Sequence, residues 1–109
     1  SVVGAQSRFW LGEIQFKMKK YELAINHYQR VMFGYGGENA PQEIKEVQAT
    51  AGYECARCAE VQIKEEKNAD RKAKLLADAK RWYRYVVARH AGSRWAAEAK
   101  KRLAVLAQL

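Results

Sequence analysis

Apolar side chains recur along this chain at helical spacing. A first segment, about Val3 to Lys19, offers Phe9, Leu11, Gly12, Ile14, Phe16 and Met18 to a broad apolar face and leaves Glu13, Lys17 and Lys20 in water. After a break at Lys19-Lys20, the positions Tyr21, Ala24, Ile25, Tyr28, Val31 and Met32 trace a stripe that a strand cannot match. Gly34, Gly36 and Gly37 are expected to stop this second helix in the left-handed conformation. Asn39 is the predicted N-cap of a third helix, with Pro41 tolerated in its first turn. Its buried line runs through Ile44, Val47, Gln48, Ala51, Cys55, Cys58 or Ala59, and Gln62, and its polar tail, Lys64-Glu65-Glu66-Lys67, should project from the body. A fourth helix, about Asp70 to His90, buries Leu76, Ala79, Tyr83, Val86 and Val87 before Ala91-Gly92 ends it. Ser93 caps a fifth, in which Trp95, Ala96, Ala99, Leu103, Leu106 and Leu109 face inward. The pattern predicts an all-α fold of five antiparallel helices with short connections.

The pattern also repeats. Tyr53-Glu54-Cys55-Ala56 matches Phe9-Trp10-Leu11-Gly12 at an offset of 44, and Ala79, Tyr83 and Val86 match Ala24, Tyr28 and Val31 at an offset of 55. The second hairpin is therefore longer at its tip by about three helical turns, which places the polar segment from Lys64 to Lys74 beyond the packed body. Leu103-Ala104 stands in the place of Leu11-Gly12 near the end of the chain. Gly12 and Ala24 are small because paired helices should cross there.

Leu11-Gly12, then Tyr21, Ala24, Tyr28 and Val31, resemble a tetratricopeptide repeat. The resemblance implies antiparallel helix hairpins stacked as a short α-solenoid, a single domain or fragment over residues 1–109. Repeat one would span about 5–37, a degenerate repeat two about 41–91, and a capping helix about 93–109. The run from Ala79 to Leu106 is similar to the repeats of bacterial envelope proteins, such as outer-membrane assembly lipoproteins and Tol-associated periplasmic factors. Those usually carry Tyr-Pro-x-Ser after the second helix, where this chain has His90-Ala91-Gly92-Ser93, and Gly36 replaces the Pro of the first repeat. The likeness favours the bacterial periplasm or cell envelope over the cytoplasm. The opening Ser-Val-Val-Gly, without an initiator Met, reads as an excised segment or processed product of a longer solenoid.

Composition narrows the function. At 109 residues the chain supports one core, and no apolar run approaches the ~18–20 residues of a membrane span. Cys55 and Cys58 share a helix face with no strand before them and no His or second Cys pair nearby, so they read as core residues, not a redox or zinc site. Neither cofactor nor metal is expected. His27 and His90 lie beside stripe residues, and Gly34-Tyr35-Gly36-Gly37 lacks the Lys-Ser/Thr and the preceding strand of a phosphate loop. The chain is read as a non-enzyme.

Two surfaces remain. The net charge of +8 divides as +2 over residues 1–40, −3 over 41–70 and +9 over 71–109. Lys74, Lys80, Arg81 and Arg84 on the fourth helix, with Lys100 and Arg102 on the fifth, could form a basic face for nucleic acid or another polyanion, with Tyr85 able to stack on a base. The favoured alternative follows from the resemblance: the family binds peptides or partner proteins in a groove lined by the first helix of each pair. Carried over, the groove positions are Gln6, Phe9, Glu13 and Lys17, then Thr50, Tyr53, Arg57 and Glu60, then Lys101. Phe9 and Glu13 stand where the family's chaperone-tail binders carry a Lys and Asn clamp, so carboxylate-clamp recognition is not expected. Neighbouring repeats or a second copy are further candidate partners for the same surfaces.

Overall fold

Local sequence sets where each helix begins and ends. In the computed structural model, which describes residues 1–109, α1 (Val2–Lys17) starts at Ser1, whose Oγ accepts from the Gly4 amide at 3.0 Å. A three-residue turn with Lys19 in the left-handed region (φ 61°) reverses the chain into α2 (Tyr21–Phe33). That helix stops at Gly34, which is extended, not left-handed as expected; a Cβ there would lie 2.5 Å from the Arg30 carbonyl oxygen. The left-handed residues are the next three, Tyr35, Gly36 and Gly37. Tyr35 tolerates this strained conformation while its side chain packs with Ala5, Ala40, Ile44 and Val47 between the starts of two helices.

A 3₁₀ turn, Gly37–Asn39, leads into α3 (Gln42–Glu65). Asn39 lies inside this turn and is not the cap; Pro41 holds the N-cap position, and its carbonyl accepts from the Ile44 and Lys45 amides. The buried Gln48 side chain donates to the carbonyls of Gly34 and Gly37, both at 3.2 Å, and so pins the glycine turn to α3. Asn68 caps α4 (Ala69–Arg89) through the Arg71 amide, and Ser93 caps α5 (Arg94–Leu106) through the Ala96 amide.

The helices form an all-α stack of hairpins. Each packs on its neighbours in sequence, and α3 also touches α1 and α5. The core runs between the layers, through Ala24, Tyr28, Val31 and Met32 of α2, Ala51, Cys55, Cys58 and Ala59 of α3, and Ala79, Trp82, Tyr83 and Val86 of α4. Gly12 is buried, and a Cβ there would meet the Tyr28 ring at 2.7 Å; the tight contact is with this ring. Both cysteines are buried and unpaired, and burial pushes the Cys58 thiol up to about 12. No helix is long and apolar enough to cross a membrane.

Two expectations about burial fail. Leu11, Ile14 and Met18 of α1 are exposed, because α2 and α3 cover the other side of that helix. Leu109 is also exposed, beyond the last turn of α5.

Candidate functional site

The odd helices α1, α3 and α5 carry the proposed groove, and the structure sorts its residues into three settings. Gln6 and Phe9 from α1 meet Thr50 from α3 in a cleft of about 350 Å³ that also includes Trp10, Glu46 and Val47. Phe9 anchors this cleft because its ring rests on buried Tyr28, with centroids 5.9 Å apart. Thr50 donates to the Glu46 carbonyl oxygen one turn back in its own helix. A second cleft, about 690 Å³, adjoins the first through Glu46 and Thr50 and extends to the α4–α5 connection. Lys45, Arg89, Arg94 and Trp95 line it.

Tyr53 lines neither cleft. Its ring stacks on Trp95 (4.7 Å, 29°) and meets Tyr83 edge-on at 5.6 Å, so it supports the wall of the second cleft from behind. Glu13 and Glu60 are turned to structural use. Glu13 Oε1 accepts from the Tyr28 hydroxyl at 2.6 Å, and Glu60 accepts from the Tyr83 hydroxyl and from the Arg102 guanidinium. Burial raises the Glu13 carboxyl above its ordinary value despite the tyrosine bond. Burial also works to raise Glu60, but the bonds from Arg102 and Tyr83 outweigh it and hold that carboxyl low.

Arg57 is committed to Glu54 at 2.9 Å and lies over the Phe16 ring. Lys101 is exposed and approaches Glu98 at 3.4 Å, and Lys17 is exposed at the end of α1. Neither lysine borders the two clefts.

The basic face is thinner than the sequence suggested. Lys74 and Arg81 both pair with Asp78, at 3.1 and 3.3 Å. Arg102 turns toward α3 to meet Glu60, which removes it from any outward face. Lys80 is half-buried, while Arg84 and Lys100 stay exposed. Tyr85 cannot stack on a base from outside: its hydroxyl donates to the Met32 carbonyl at 2.8 Å, and its ring packs edge-on against Phe33 and His90. Since that hydroxyl proton is used, His90 Nε2 must be the donor to the Tyr85 oxygen at 3.0 Å. Burial, with Lys45 and Arg89 close by, holds the His90 imidazole below its usual pKa.

Sequence reasoning missed Glu46, Lys45, Arg89, Arg94 and Trp95. Part of the signal was available: Val2 and Glu46 lie one helical turn before Gln6 and Thr50, so the groove register continues toward the helix N-termini. Arg89 enters from the even helix α4, which no reading of the odd helices could anticipate. No group of three or more His, Cys, Asp or Glu side chains is placed to hold a metal ion. Compared with known protein families, curated proteins and solved structures, the chain matches none.

Proposed function

We propose that this protein is a non-catalytic interaction scaffold of the tetratricopeptide type, which takes an extended segment of a partner protein across its odd helices. One observation supports it most: two clefts meet at Glu46 and Thr50, with an aromatic half at Phe9 and Trp10 and a half lined by Lys45, Arg94 and Arg89, the last ion-paired with Glu38 at 2.9 Å. The Phe9 ring, backed by buried Tyr28, supplies contact area at little entropic cost, and Lys45 and Arg94 favour an acidic residue in the ligand. The matched hairpins add to this. Ala24, Tyr28 and Val31 are fully buried, as are Ala79, Tyr83 and Val86, and Phe9 and Tyr53 each pack on the buried tyrosine of their own hairpin, tilted in the first and edge-on in the second.

The test is selection of binders from a displayed random-peptide library, followed by titration of the selected peptide. Phe9→Ala combined with Thr50→Lys should abolish binding with the melting curve preserved. Charge reversal at Arg81 and Arg84 should leave binding intact. Loss of binding only with the arginine changes, restored by lowering the salt, assigns the function to polyanion recognition instead.

A further inference from the structure

Of the nine large apolar side chains that the molecule exposes, Val3, Trp10, Leu11 and Ile14 lie on α1 and Met18 is its C-cap residue. With 3.6 residues per turn they fall in one stripe about 100° wide, with Ser7 inside it. Val3, Leu11, Ile14 and Met18 lie on the opposite side of the helix from Ala5, Phe9, Gly12 and Phe16, which face the protein, while Trp10 stands at the stripe's edge and meets the Phe9 ring at 5.5 Å. So α1 is apolar on two sides and packed on one.

The repeat shows what such a stripe is built to meet. At the offset of 44, Val3, Ser7, Leu11 and Ile14 correspond to Val47, Ala51, Cys55 and Cys58 of α3. Those residues are covered: Ala51, Cys55 and Cys58 are fully buried in the core, and the Cys58 thiol reaches the Tyr21 carbonyl of α2. The next equivalent set, at the offset set by Leu103 and Leu11, is Trp95, Ala99, Leu103 and Leu106 of α5, with Ala99 and Leu106 buried against α4. In both cases an even helix lies on the stripe. Within residues 1–109 no helix takes that position on α1.

We infer that the α1 stripe is a docking site for an amphipathic helix of a partner protein, seated as α2 sits on α3 and α4 on α5. The chemistry of that helix follows from the stripe. Trp10, Leu11 and Ile14 are bulkier than Glu54, Cys55 and Cys58, so the visiting seam must be small where they protrude, with one larger side chain over Ser7. Around the stripe stand Arg8, Lys17, Lys19 and Lys20, against two acids, Glu13, already bonded to Tyr28, and Glu22 beside the turn lysines. The flanks of the visitor are therefore acidic. A second copy fits less well, because it would set the same cationic flank against itself.

Two synthetic helical peptides provide the probe. Both keep the apolar positions of α4 (Leu76, Ala79, Tyr83 and Val86), since α4 covers the bulky equivalents on α5; the flanking positions are Glu in one and Lys in the other. The Glu peptide should bind saturably by fluorescence anisotropy, and the Lys peptide about tenfold more weakly. Leu11→Ser with Ile14→Ser should abolish binding without lowering the melting temperature, because both side chains already face water. Met18→Ser alone should weaken it. Phe9→Ala with Thr50→Lys, which blocks the groove between α1 and α3, should leave it unchanged. Absence of saturable binding, equal binding of the two peptides, or loss only in the groove variant overturns the inference. So does concentration-dependent dimerisation of the protein alone that Ile14→Ser removes, which would give the stripe to a second copy.

Discussion

The Tyr28 hydroxyl donates to Glu13 across the first hairpin at 2.6 Å, and the bond joins one of the two largest fully buried side chains to a carboxyl that burial raises above its ordinary pKa. Tyr83 and Glu60 repeat the arrangement in the second hairpin, with the acid shifted one turn along its helix and Arg102 added as a second donor. Tyr28→Phe should cost about 1–2 kcal/mol, since Glu13 loses its only hydroxyl donor in a half-buried site. Tyr83→Phe should cost less, because Arg102 still satisfies Glu60. Urea midpoints of the two variants test the order, and the reverse order would show that Arg102 contributes little.

Gly12 lies against the same tyrosine ring. Gly12→Leu has no space to enter without moving Tyr28, whose ring is fully buried, and should destabilise the fold by about 1–3 kcal/mol. An unchanged melting temperature would mean that α1 shifts freely on α2.

The two half-buried acids respond to pH in opposite directions. Glu60 has a depressed pKa in the fold, so its stabilisation is complete above the unfolded value near 4.5 and disappears as pH falls through the folded value. Glu13 has a raised pKa, so the fold retains that proton longer than the unfolded chain does, and its contribution is lost as pH rises from 4.5 through the folded value. Glu60→Gln should flatten the acid limb of the stability profile, whereas Glu13→Gln should remove the decline just above it. Thermal melts across pH 3 to 7 separate the two, if about half a pH unit divides successive points.

Thiol chemistry tests the core directly. With Cys55 fully buried and its thiol held well above the ordinary value by burial, and Cys58 close to the same state, labelling by a thiol reagent should follow the rate of opening. Both thiols should react together in denaturant. Fast labelling of Cys58 alone under native conditions would show that α2 detaches from α3 on its own.

Much of the fold was legible because a buried helix stripe has a distinctive period. Tyr28 and Tyr83, Ala24 and Ala79, and Val31 and Val86 stood out as pairs, and all are fully buried. What periodicity lacks is direction. Leu11, Ile14 and Met18 have the spacing of a core stripe and belong to one geometrically, yet none of α2 to α5 covers them. Polar groups were harder for a related reason. Glu13, Glu60 and Arg102 look solvated in sequence, and only the packed structure shows tyrosines and a guanidinium closing on the two acids. Gln48 was placed in the buried line, but its hold on Gly34 and Gly37 depends on a turn more than ten residues upstream.

Because contacts run from each helix to its neighbours, while α3 alone touches the other four, the stack has a keystone. Losing α1 or α5 removes one end and leaves α2, α3 and α4 in contact; losing α3 leaves two hairpin remnants with little between them. Fluctuations should therefore peel inward from the ends. Amide protons around Cys55 to Ala59 should exchange only when the whole molecule opens, those of α1 and α5 should exchange sooner, and the polar tip between α3 and α4 should exchange fastest.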